Sequence, residues 1–352
     1  MAGGNMLAAV YHGPNDLRME QIGLPEVGPG EILVQVLSAS ICGTDLRIWH
    51  GFHRMYPAGT VRVPGHEVVG DIAVLGAGLS GYRSGERVFI APNWGCGHCR
   101  QCASGNSNRC ASYGAIGVTR DGGFAQYVLV PAAAVAQGCV MPVSTSVDSA
   151  GAALIEPFAC VLRGQDALHI QPGDFVVVTG AGPIGQMHIR LARLSGAGRI
   201  LSSDPNPLRR EQSRGAGADR VVDPTVEDLE QVVLEESAGL GADAVIVAAP
   251  VHAAQEQALR LAGIGGRINF FGGLPKDRPL IQLDANLVHY KELLITGTTA
   301  CSTSDCQRAA EIISSGRVDL SGLVSLRFSL ERALEAFSAA EDRTALKVVI
   351  QP

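Results

Sequence analysis

The chain has 352 residues, which favours two domains over one core, and its 46% hydrophobic and 18% charged residues describe a globular rather than a disordered protein. A formal net charge of -6 with no lysine- or arginine-rich run leaves no electrostatic footprint for nucleic acid or anionic lipid. No apolar stretch reaches the roughly 18 residues of a membrane span, and residues 1–11 lack the charged and apolar regions of a signal peptide, so a cytoplasmic protein is expected.

Over residues 1–152 the chain reads as short apolar runs cut by Gly and Pro: 31–39 (EILVQVLSA), 68–75 (VVGDIAVL) and 126–130 (QYVLV). Short strands between frequent breakers predict a barrel-like β domain. Residues 153–297 change character, with an apolar strand pattern at 175–179, a helical pattern at 183–195 and a strand at 199–203. That alternation predicts α/β architecture with a doubly wound parallel sheet, continued by strands at 243–248, 267–271 and 293–296. The tail, 298–352, carries helical patterns at 304–315 and 329–340 and a closing strand at 346–350, which could return to the first domain.

Immediately after the strand at 175–179 come Gly180-Ala181-Gly182-Pro183-Ile184-Gly185, a G-x-G-x-x-G turn opening a helix. The first Gly permits the tight turn, the second lets backbone approach a pyrophosphate, and the third lets helix and strand pack closely. Asp204, at the end of the next strand, is placed to bond the adenosine ribose hydroxyls, and its charge opposes the 2′-phosphate of NADP. Arg209 and Arg210 could instead accommodate that phosphate, so NAD is expected and NADP stays open.

Nine cysteines, four of them between Cys96 and Cys110, fit a metal site in a reducing compartment better than a disulfide framework. Cys96, Cys99, Cys102 and Cys110 form C-x2-C-x2-C-x7-C, which can close a tetrahedral, all-thiolate zinc site with no position left for substrate. An iron-sulfur cluster uses the same ligands, but nothing else points to electron transfer. A second set is scattered: Cys42 in Cys42-Gly43-Thr44-Asp45, His66 and Glu67 after Gly65, and Glu156 before Pro157. A thiolate, an imidazole and a carboxylate can hold zinc and leave a coordination position open for chemistry. Spacing alone better suits a buried Cys, a satisfied core His and surface acids.

These pieces, in this order and over essentially the whole chain, resemble the zinc-containing medium-chain alcohol dehydrogenase superfamily, and most closely its polyol (sorbitol-type) and threonine dehydrogenase branch. The resemblance implies a GroES-like catalytic domain and a Rossmann domain, a catalytic zinc on Cys42 and His66, Glu67 as a direct or exchangeable ligand, and Glu156 where many alcohol dehydrogenases place a second cysteine. It implies two zinc ions per chain, NAD as cofactor, and a homodimer or homotetramer. The expected reaction oxidises a secondary hydroxyl of a polar polyol, cyclitol or amino alcohol to a ketone. A ketone reductase preferring NADP and a non-catalytic NAD-binding protein are the alternatives.

Thr44 is placed to accept the released proton. Many relatives carry a His as the outer relay group where this chain has Arg47, and an arginine cannot act as a base. The relay is therefore expected to use His50, His53, water or a route through Glu156. Residues 47–56 mix cationic side chains with three aromatics, so Arg47, His50, His53 or Arg54 could pair with an anionic substituent of the substrate.

Overall fold

The computed structural model describes residues 4–342 and 345–352, and the chain divides into two units, Met1–Ala159 with Cys301–Pro352, and Cys160–Ala300. The first unit centres on a seven-stranded sheet in the order Val324–Ser329, Lys347–Gln351, Ile32–Ser40, Glu67–Leu75, Arg87–Ile90, Val140–Pro142. Tyr127–Val130 pairs with Ile32–Ser40 off that path. Ile32–Ser40 and Glu67–Leu75 run antiparallel, from Ile32 opposite Leu75 to Ser40 opposite Glu67. That register sets Cys42, just past the end of one strand, beside the His66-Glu67 start of the other. The crossing is tight: a Cβ on Gly70 would lie 2.1 Å from the Gln35 carbonyl oxygen, so only glycine fits there.

The tail supplies the strand Lys347–Gln351, which pairs antiparallel with Ile32–Ser40 and parallel with Val324–Ser329. The helical pattern expected from residue 329 begins later. Ser329 pairs with Gln351 in the parallel ladder, a 3-10 turn spans Leu330–Arg332, and the helix runs Ala333–Glu341. The ladder's backbone bonds hold Ser329 extended against its helical periodicity.

The second unit is a six-stranded parallel sheet ordered Arg220–Val222, Arg199–Ser203, Phe175–Thr179, Ala242–Val247, Ala262–Phe270, Leu294–Gly297. In sequence terms the order is 3-2-1-4-5-6, the doubly wound arrangement whose ligands bind at the carboxyl ends of the strands where the order reverses. Phe175–Thr179 is buried at every residue, as a strand covered on both faces must be. Val177 and Val245 pack into one apolar cluster and Val176, Val178 and Ala244 into another, each strand feeding the two clusters alternately.

Candidate metal and cofactor sites

In the first unit the potential donor atoms of Cys42, His66 and Glu67 all lie within 4.8 Å of one another. Asp45 organises them. Its Oδ2 accepts from the Cys42 backbone N–H at 2.9 Å, and its Oδ1 lies 3.3 Å from His66 Nδ1, at ion-pair distance though off hydrogen-bond geometry. Asp45 is itself fully buried. A carboxylate behind the ring in this way fixes which nitrogen faces a metal.

Glu67 is also fully buried, and its Oε2 accepts from Lys347 Nζ at 2.6 Å, whereas its Oε1 has no hydrogen-bond partner. An orphaned carboxylate oxygen inside a protein is costly unless a cation meets it. The local field favours positive charge. Burial opposes protonation of His66, yet Asp45 and Cys42 lift its pKa well above the ordinary value. Lys347 is likewise raised, with burial working against it and Glu67 and Cys42 prevailing. A donor set of thiol, imidazole and carboxylate with an unmatched oxygen and a cation-favouring field fits a divalent zinc ion.

Glu156 opens the helix Ile155–Asp166. Burial raises its carboxyl above the usual range, against the pull of His66 and Lys347, and its Oε1 accepts from Cys301 Sγ at 3.6 Å. The carboxyl feels the charges of His66 and Glu67.

The four-cysteine loop forms a second donor set, with all four Sγ atoms within 4.8 Å of one another and individual separations of 3.5 Å for Cys99–Cys102 and 3.8 Å for Cys99–Cys110. Zinc–sulfur bonds of about 2.3 Å in a tetrahedron imply sulfur–sulfur edges of about 3.8 Å. Backbone amides of His98 and Cys99 bring the Cys96 thiol down to about 6. A Cβ on Gly95 would sit 2.3 Å from Cys102 Sγ, so the cradle requires glycine there. Four converging thiols fit a closed zinc site.

Of the segment 47–56, Arg47 Nη2 donates to Thr44 Oγ1 at 3.0 Å. Both nitrogens of His50 are engaged, with Asn15 Oδ1 at 2.8 Å and Glu341 Oε1 at 2.7 Å. His53 Nδ1 accepts from the Met55 N–H. Trp49 packs on Phe337, Tyr56 is buried with its hydroxyl donating to the Gly117 carbonyl, and Phe52 stays exposed.

In the second unit Gly180 has φ +92°, and a Cβ on Gly185 would lie 1.9 Å from the Gly180 carbonyl oxygen. Gly182 caps the helix Pro183–Leu194, with Pro183 as its first residue and Ile184 half-buried behind it. Nothing lies within 4 Å of where a Gly182 Cβ would stand, which leaves space for a pyrophosphate at the helix N-terminus. Asp204 is buried, and its oxygens accept from the backbone N–H groups of Ala181 and Asn206, each at 2.8 Å. Arg209 Nη1 lies 3.9 Å from Asp204 Oδ2. Arg210 donates to the Asp204 and Pro205 carbonyls and pairs with Asp223 at 2.9 Å, which commits it locally. Gln186, unnoticed in the sequence, places its Nε2 3.1 Å from the Ala181 and Arg209 carbonyls, binding the glycine turn to the next helix. The turn, the acid and the helix N-terminus together could hold a dinucleotide.

Residues 28–142 match the alcohol dehydrogenase GroES-like domain and residues 183–315 the zinc-binding dehydrogenase family. L-threonine 3-dehydrogenase of Rhizobium etli is 30% identical over 351 residues, 98% of this chain and 99% of that protein. Sorbitol dehydrogenase of Bacillus subtilis is 30% identical over 352 residues, 99% of this chain and 98% of that protein. A solved zinc-binding dehydrogenase of Sinorhizobium meliloti bound to NADP superposes with a TM-score of 0.92 at 31% identity, covering 99% of this chain and 100% of its own. The chain belongs to the zinc-containing medium-chain alcohol dehydrogenase superfamily, in its polyol and threonine dehydrogenase-like branch. It is an NAD(P)-dependent dehydrogenase acting on a small-molecule secondary alcohol.

Because Asp45 holds both the Cys42 backbone and the His66 ring, Asp45→Asn should weaken zinc binding at this set by about 10- to 100-fold. Competition against a chromophoric chelator measures it, and an unchanged affinity would remove Asp45 from the site.

Proposed function

We propose that the enzyme oxidises the secondary hydroxyl of a polar polyol, cyclitol or amino alcohol to a ketone, with NAD as the preferred acceptor and two zinc ions per chain. The observation that carries the reading is the convergence of Cys42, His66 and Glu67 with an orphaned Glu67 oxygen. A zinc ion held by these three, with Glu156 as a further or exchangeable donor, would supply Lewis acidity to the substrate hydroxyl while the nicotinamide accepts hydride. Cys96, Cys99, Cys102 and Cys110 would hold the structural ion.

The chain's own groups manage the proton. Thr44 Oγ1 accepts it and passes its own proton on. The Arg47 hydrogen bond orients that hydroxyl, and the fixed positive charge beside it favours proton loss. Arg47 carries no proton onward, and His50 is held by Asn15 and Glu341. With His50 so held, the exit from Thr44 is left to water, His53 or Glu156.

The polar substrate is supported by the exposed guanidinium groups of Arg47 and Arg54 and by relatives named for threonine and sorbitol. NAD preference is supported by the buried charge of Asp204, although the Sinorhizobium relative was solved with NADP. Assembly as a homodimer or homotetramer is supported by the sheet edge of the second unit. Among the described residues Leu294–Gly297 pairs on one side only, and Leu294, Ile264 and Tyr290 are exposed near it in the sequence of elements. Cytoplasmic location is supported by nine cysteines, none of them in a disulfide among the described residues; among the same residues no helix is long and apolar enough to cross a membrane.

Metal analysis should give two zinc ions per chain. Cys42→Ser should abolish turnover and leave the melting temperature little changed, whereas Cys99→Ser should chiefly lower stability; equal loss of folding in both would contradict the division. Steady-state kinetics over polyols, cyclitols and amino alcohols should favour these over plain alkanols, since unpaired buried polar groups cost about 1–3 kcal/mol each. In the same assays Asp204→Ala should lower the NAD/NADP efficiency ratio. A best substrate among primary alkanols, or an unmoved ratio, refutes the respective assignment. Sedimentation at working concentration should return two or four chain masses, and a monomer would exclude the assembly.

A further inference from the structure

The start of the helix Thr303–Ser314 carries two thiols that the reaction leaves unused. Ser302 and Asp305 form its capping box, the Ser302 N–H donating to Asp305 Oδ2 at 2.8 Å and the Asp305 N–H to Ser302 Oγ at 3.3 Å. Cys301 precedes the cap and Cys306 is the fourth helical residue, positions at which two apolar side chains ordinarily pack together. Here both are sulfur. Each is fully buried, and their Sγ atoms stand 3.4 Å apart.

Cys301 also meets a carboxylate, its Sγ standing 3.6 Å from Glu156 Oε1. These separations match those of the four-cysteine loop, at 3.5 and 3.8 Å. They also approach the edges of a tetrahedron built on zinc–sulfur bonds of about 2.3 Å and zinc–oxygen bonds of about 2.1 Å. Soft donors of this kind select thiophilic ions over magnesium or calcium.

We propose that the Cys301–Cys306 thiol pair, with Glu156 beside Cys301, forms a further metal site for a thiophilic divalent ion, cadmium or surplus zinc, and that its occupation inhibits turnover by engaging Glu156. Each thiol gives up its proton as its sulfur binds, so two protons leave per ion taken up. The inhibition rests on the role given to Glu156 above; the binding does not.

The test starts from zinc-replete enzyme whose turnover and zinc content have been measured, which checks the functional reading beforehand. Titration with cadmium(II), followed by equilibrium dialysis and by sulfur-to-cadmium charge-transfer absorption, should show one further equivalent per chain with both zinc ions retained. Turnover should fall about tenfold or more as that equivalent binds, and return on adding a chelator. Cys306→Ala should keep basal turnover and need about tenfold more cadmium both to take up the further equivalent and to reach the same inhibition. If that variant melts early, Cys306→Ser serves in its place. Zinc released in step with cadmium uptake, or undiminished uptake in a folded Cys306 variant, overturns the site. A further equivalent bound at full turnover overturns the coupling to Glu156.

Discussion

A carboxylate with no exposed surface, Glu67, is the constraint on which the first unit depends. Removing such a charge from water costs several kcal/mol unless partners compensate. Lys347 answers one oxygen, and its Nζ also donates to the Ile41 carbonyl at 3.1 Å. A residue near the end of the chain is thereby tied to the strand that delivers Cys42. The position of the strand Lys347–Gln351, between Val324–Ser329 and Ile32–Ser40, follows from the same pairing, because a lysine that deep must lie beside its acid. Breaking a buried pair of this kind by removing one partner costs about 3–5 kcal/mol, so the closing strand has an electrostatic as well as an apolar reason to dock.

The second unit solves a different problem with backbone groups. A glycine turn that admits a ligand has few side chains to hold its shape, so its peptide groups must be fixed from outside. The N–H of Ala181 donates to Asp204 and its carbonyl lies 3.1 Å from the Gln186 amide. The same amide nitrogen lies 3.0 Å from Ser213 Oγ, on the helix Pro207–Ala216 that also carries Arg209. The glycine turn, Asp204 and the helix that carries Arg209 are therefore one hydrogen-bonded assembly, and a change at either end is felt at the other.

Much of this was legible in the residues because some chemistry needs fixed local spacing. The glycine turn, the acid after the next strand and the four-cysteine loop are written within short windows, and the buried parallel strands show as unbroken apolar runs. What stayed hidden depends on partners far apart in sequence. Asp45 sits in plain view beside Cys42, but its contact with His66 exists only because Ser40 pairs with Glu67. Lys347 is one of the few lysines in the chain, and nothing local distinguishes a buried ion pair from a surface charge. The hairpin Asn5–Gly13 and Asp16–Gly23 lacks a clean alternation, since its second strand is mostly exposed or half-buried. The helix Gly43–Trp49 is short and opens on Gly and Thr, poor helix formers, so the capping by Cys42 and Asp45 rather than propensity establishes it.

Charge balance explains why the donor set can remain so deeply buried. Asp45 and Glu67 contribute two negative charges and Lys347 one positive, which leaves one negative charge for the remaining groups to cancel. A protonated His66 cancels it while Cys42 is a thiol, and the raised His66 pKa agrees with that arrangement. A divalent ion reaches the same neutrality by another route, taking the place of the His66 proton and the Cys42 proton together. Cys42 then adds a negative charge, His66 becomes neutral, and the ion's two positive charges restore the balance. Glu156 fits either account, because burial favours its uncharged form. The set is thus electrostatically matched to an ion of charge two, and a monovalent ion in the same exchange would leave one buried charge without compensation.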